Sequence, residues 1–125
     1  MAQTDGSSDL RHLTSDVLAF RDARSWRQFH TPKDLALALN IEAGELAELF
    51  LWKTEAVANA LAQDPEKHTS IADELADVLI YALLLANHYD IDLGEAVEAK
   101  LEKNAQKYPV DQAKGNARKY TEFDK

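Results

Sequence analysis

From Ile71 to Ala86 the sequence reads IADELADVLIYALLLA, a helix that is apolar on nearly every side and opens at a capping hydroxyl, Thr69 or Ser70. Such a helix must be covered on most of its faces. A chain of 125 residues is long enough for one domain with a real core and too short for two comfortably, so the cover is expected to come partly from a partner subunit. No β-type alternation of useful length and no internal repeat occurs elsewhere, which leaves a helical bundle as the economical architecture.

Three further helices are expected around that central one. Leu10, Leu13, Val17 and Phe20 recur at helical spacing and predict a first helix over about 9–26, after a small, polar start at 1–8 that reads as disordered. Thr31-Pro32-Lys33-Asp34 supplies a capping hydroxyl, a proline at the first helical position and an acid behind it, which start a second helix reaching about Lys53. Residues 54–68 read as weakly helical and then as a loop around Pro65. Asp92-Leu93-Gly94-Glu95 opens the last helix, whose stripe is Leu93, Val97, Leu101 and Tyr108 and which Pro109 stops. The expected domain therefore covers 9–108, followed by an irregular arm over 109–125.

There is no cysteine, so thiolate nucleophiles, disulfides and zinc–cysteine sites are excluded, and a metal must be held by oxygen or imidazole. The net charge of −8 argues against a nucleic-acid duplex as partner, though a polyphosphate can still bind through a metal. No apolar run approaches the length of a membrane span, and the N-terminus lacks a signal-like pattern, so a cytoplasmic location is expected.

The acids sit where acids are costly. At 100° per residue, Leu35, Ala38, Glu42, Glu45, Leu49 and Trp52 share one side of the second helix. Ile71, Glu74, Asp77, Val78, Tyr81 and Leu85 share one side of the third. Two apolar stripes are thus each broken by two carboxylates. Ionised carboxylates in an apolar interface need partners, and four facing each other repel unless cations intervene. Oxygen ligands select Mg²⁺, Mn²⁺ or Ca²⁺, with Mg²⁺ the physiological choice, and the cluster has charge enough for one or two ions. The competing reading is a noncatalytic oligomerisation or adaptor module in which these acids form salt bridges across an interface. A di-iron bundle is disfavoured, because no histidine follows a glutamate by three residues.

The order Ile41-Glu42-Ala43-Gly44-Glu45, then twenty-eight residues, then Glu74-Leu75-Ala76-Asp77, resembles the E-E-x-x-E and E-x-x-D signature of the MazG-like all-α nucleoside triphosphate pyrophosphohydrolases. Ile41 replaces the first acid but lies outside the shared face. SWRQFHTPKDLALAL, GELAELFLWK, ELADVLIYALLLA, KYPV and ARKYT are similar to the dCTP pyrophosphatase branch, over about residues 10–121.

The resemblance implies a bundle-type subunit of four helices forming a homodimer or a dimer-of-dimers tetramer. It also implies hydrolysis of a deoxynucleoside triphosphate to monophosphate and pyrophosphate, for cleansing of the nucleotide pool. Mg²⁺, with Mn²⁺ as substitute, is expected on Glu42, Glu45, Glu74 and Asp77, with Glu45 or Glu48 orienting or deprotonating the attacking water. Trp26 and Trp52 match tryptophans that line the base pocket, and Phe29 is a candidate wall beside an unassigned His30. Tyr81 is a candidate deoxyribose sensor, with core packing as the equal alternative. Lys100 and Asn104 interrupt the last helix's stripe and suit either phosphate contact or a salt bridge. Lys107, Arg118 and Lys119 are candidates for added charge near the site, with plain solvation, usual for a terminal arm, as the alternative. Vertebrate members of the branch carry a histidine near the place held here by Val17, so a range broader than dCTP is also open.

Overall fold

The computed structural model describes residues 9–123, and the expected disordered start at 1–8 lies outside them. All regular structure among the described residues is helical, as expected. The chain forms two compact units that meet in sequence between Ile91 and Asp92.

In the first unit, Asp9 caps α1 (Leu10–Ala23), its Oδ1 accepting from the Arg11 N–H at 2.7 Å. The helix stops three residues short of expectation because Ser25 adopts a left-handed backbone (φ 55). The Ser25 and Trp26 N–H groups then turn back onto the Asp22 and Arg21 carbonyls, a Schellman closure that fixes the direction in which Trp26 leaves.

α2 (Pro32–Glu48) starts as its sequence demands, with Thr31 Oγ1 accepting from the Asp34 N–H at 3.3 Å. It ends at Glu48 instead of Lys53. The N–H groups of Leu49, Phe50 and Leu51 bond three residues back, and Trp52 then takes a left-handed backbone (φ 64). α3 (Glu55–Ala60) is capped by Thr54, and a short 3₁₀ turn over Leu61–Gln63 follows it.

α4 (Pro65–His88) begins five or six residues earlier than the sequence suggests. Asp64 Oδ1 accepts from both the Glu66 and Lys67 N–H groups, and Pro65 is the first helical residue. The proline expected to mark a loop opens the helix, where its missing N–H costs nothing.

α4 packs against both α2 and α1. Leu35 near the start of α2 and Leu84 near the end of α4 share one cavity wall, while Glu42 and Glu45 meet Glu74, so α2 and α4 run antiparallel. The buried hydrophobic residues are Leu35, Leu61, Leu83, Leu84 and Ala86, which places the core at the C-terminal half of α4. The expectation that α4 is covered on most faces holds only there. Leu75 and Leu79 are 53% and 40% exposed, and Leu37 and Ile41 on α2 are 53% and 61% exposed.

In the second unit, Asp92 caps α5 (Leu93–Lys107) by accepting from the Glu95 N–H at 3.0 Å. The segment expected to be an irregular arm is ordered locally. α6 (Val110–Ala113) follows Pro109, and a 3₁₀ turn at Tyr120–Glu122 brings Tyr120 and Phe123 edge-on to Tyr108, with ring centroids 5.9 and 5.7 Å away. Lys107 and Arg118 cover the rings of Tyr120 and Phe123. Aromatic and cation–π contacts hold a segment too short for a core of its own.

Candidate functional site

Antiparallel pairing of α2 and α4 places their polar interruptions side by side. Carboxylate oxygens of Glu42, Glu45 and Glu74 lie within 4.8 Å of one another, Glu42 and Glu74 half-buried and Glu45 exposed. Glu42 Oε2 and Glu74 Oε2 are buried without a hydrogen-bond partner. No lysine or arginine forms an ion pair with them among the described residues.

The electrostatics follow from that crowding. Glu42 is pushed up to about 7, first because its carboxyl approaches that of Glu45 closely enough to share a proton, then by burial and by the charges of Glu45 and Asp77. Glu74 is also raised, burial leading and the charge of Glu45 following. Two ionised carboxylates can only accept, so the cluster needs either a shared proton or a cation.

Beside the cluster opens a cavity of about 390 Å³. Asp16, Val17, Phe20 and Arg21 of α1, Glu42 of α2 and Asp77, Ile80, Tyr81 and Leu84 of α4 line it, together with Trp26 and His30 from the turn after α1. Phe20 meets Trp26 edge-on at 5.9 Å, and the Arg24 guanidinium lies over the Phe20 ring, 3.6 Å from its centroid. Tyr81 is raised by burial and then by the charges of Glu42, Asp77 and Glu45, so its hydroxyl keeps its proton and stays a donor.

The residues singled out from sequence are placed as follows. Glu42, Glu45 and Glu74 converge. Asp77 is not part of that tight trio but lines the adjoining cavity with Glu42, as do Trp26 and Tyr81. Glu48 is the exposed last residue of α2. Phe29 is 63% exposed and does not line the cavity. Trp52 was expected on the acidic side of the second helix; α2 ends before it, and it stands 93% exposed on the following turn. Lys100 is exposed and Asn104 half-buried on α5 of the second unit.

Arg21 and Ile80 were not among the residues expected there, and Val17 and Phe20 were expected as members of the apolar stripe of the first helix. The stripe of α1 that looks like core in sequence is a cavity wall, and Phe20 remains 53% exposed on it. Amphipathic periodicity marks an apolar face without saying whether it is filled by protein.

A sequence profile described as the MazG-like family matches residues 37–123. The chain is 45% identical over 115 residues to rat dCTP pyrophosphatase 1 and 44% identical over the same length to the human protein of that name. Each match covers 92% of this chain and 66% of the relative, so the chain spans just under two thirds of their length. Among solved structures, a pyrophosphatase from Archaeoglobus fulgidus superposes with a TM-score of 0.72 at 40% identity, covering 80% of this chain and 92% of that one. With the profile running through most of its length, the chain belongs to the MazG-like family.

Proposed function

We propose that the protein is a Mg²⁺-dependent pyrophosphohydrolase that cleaves deoxynucleoside triphosphates, dCTP foremost, to monophosphate and pyrophosphate. The observation that carries this reading is the convergence of Glu42, Glu45 and Glu74, two of them with buried, unpartnered oxygens, beside a cavity lined by Trp26. An all-oxygen, acceptor-only set without a cationic side chain suits a hard divalent cation. Glu42, Glu45, Glu74 and Asp77 would hold it. When bound, Mg²⁺ supplies neutralisation of phosphate charge and a lowered pKa for a coordinated water.

Within the chain, Trp26 stacks on the base and the Tyr81 hydroxyl donates to the sugar or a phosphate, fixing the α-phosphorus near the acids. The exposed Glu45 receives the proton of the attacking water, with Glu48 as the alternative acceptor. The uncovered apolar rows Leu37 and Ile41 on α2 and Leu75 and Leu79 on α4 support a homodimer or tetramer, in which exposed Phe29 and Trp52 gain cover. The relatives' names, dCTP pyrophosphatase 1, support the substrate class.

The test is pyrophosphate release from a panel of dNTPs with and without Mg²⁺. Glu74→Ala is expected to lower turnover at least about a hundredfold, the scale of removing one preorganised charge-stabilising group. It should also abolish the rise in melting temperature that Mg²⁺ gives the wild type. Release of orthophosphate, or full activity in excess EDTA, would refute the assignment.

A further inference from the structure

A second cavity, of about 550 Å³, lies next to the first within the same unit and is lined by Arg21, Arg27, His30, Thr31, Pro32, Leu35, Leu84, Asn87, His88 and Asp90. Arg21, His30 and Leu84 line both cavities and so form the partition between them. Along α4 the acids Glu74 and Asp77 come first, then Tyr81, then Leu84 at this partition. A nucleotide whose phosphates sit at the acids and whose sugar sits at Tyr81 therefore brings the polar edge of its base to the partition.

Arg21 stands there in an unusual state. Its side chain is only 12% exposed, and its one hydrogen bond among the described residues runs from Nε to Asp22 Oδ1 at 2.8 Å. That bond fixes the plane of the guanidinium and leaves both Nη groups without a protein acceptor among the described residues. Sheltered donors without an acceptor are costly, and a planar pair of N–H groups matches two adjacent acceptor atoms. His30, the other polar group of the partition, is held below its ordinary value by burial and then by the charge of Arg21, so it is uncharged at neutral pH and leaves Arg21 the single cation there.

We propose that Arg21 is the specificity-determining residue of the base pocket, donating from both Nη groups to the adjacent O2 and N3 acceptors of cytosine. This rests on the pyrophosphohydrolase reading above and goes beyond it by assigning base choice to one side chain. Thymine and uracil carry a hydrogen on N3 and offer the fork only one acceptor of the pair.

The experiment measures kcat/KM for pyrophosphate release by the whole chain on dCTP, on 3-deaza-dCTP, which lacks the N3 acceptor, and on deoxyribose 5′-triphosphate, which lacks a base. Wild type is expected to favour dCTP over the deaza analogue by roughly tenfold or more, as a bidentate arginine does. Arg21→Ala should erase that preference through KM and leave the base-free substrate unchanged. Arg21→Lys, which keeps the charge and loses the fork, should erase it too. Either variant retaining the preference overturns the proposal, as does an equal loss on the base-free substrate, which would mark a general structural role. No turnover of any dNTP by the wild type overturns the pyrophosphohydrolase reading itself and this one with it.

Discussion

Glu42 joins the acidic trio to the cavity, and its proton is the most sensitive reporter of that junction. Its carboxyl ionises near 4.5 when unfolded and holds its proton to about 7 in the fold. Between those values the folded state binds more proton than the unfolded one, so stability falls as pH rises from about 4.5 to about 7 and levels off above. Glu42→Gln removes that slope. In EDTA, the difference in melting temperature between wild type and variant is expected to change across this window and stay constant above it. Mg²⁺ should reverse the wild-type trend, because the ionised cluster is then the form that binds.

Helix boundaries decide which side chains reach the site. Ser25 and Trp52 both hold positive φ, uncommon for a serine and a marked outlier for a tryptophan, and each ends the run of helix that the sequence pattern would continue. At Ser25 the consequence is local and useful, since the turn sets Trp26 against Phe20 in the lining of the cavity. Asp64 acts at the opposite kind of boundary, where one carboxylate oxygen accepts two N–H groups in the first turn of α4. Asp64→Ala is expected to cost about 1 kcal/mol in chemical denaturation, the usual worth of such a cap, and to leave turnover per folded molecule nearly unchanged. Leu84, which is 5% exposed and shared by both cavities, behaves differently. Leu84→Ala is expected to cost about 2–5 kcal/mol and to weaken base discrimination by opening the partition.

At the scale of the molecule, few side chains are deeply buried for a chain of this length, and large hydrophobic residues stand exposed along α2 and α4. Leu37 and Ile41, like Leu75 and Leu79, are four residues apart, so each pair forms one row on its helix. Rows of this kind gain cover from a second copy. Light scattering coupled to gel filtration is expected to show a dimer or tetramer, and the double variant Leu75→Lys/Leu79→Lys a smaller species. A wild-type monomer would count against assembly through this face. Among the described residues no helix is long and apolar enough to cross a membrane.

The sequence by itself determined the main helices, the caps at Thr31 and Asp92 and the identity of the acids, because periodicity and capping are local properties that a chain carries wherever it folds. Thr31 and Asp92 cap where their side chains and spacing say they should. The convergence of Glu42, Glu45 and Glu74 was legible for the same reason, since a carboxylate on an apolar stripe is out of place before any partner is known. Only the tertiary structure decided that the stripe of α1 lines a cavity, that Trp52 leaves its helix, that Asp77 stands beside the trio and that Arg21 divides two cavities. Those outcomes depend on left-handed residues at Ser25 and Trp52 and on which helix faces which, and neither the rare backbone state nor the pairing leaves a periodic trace in the chain.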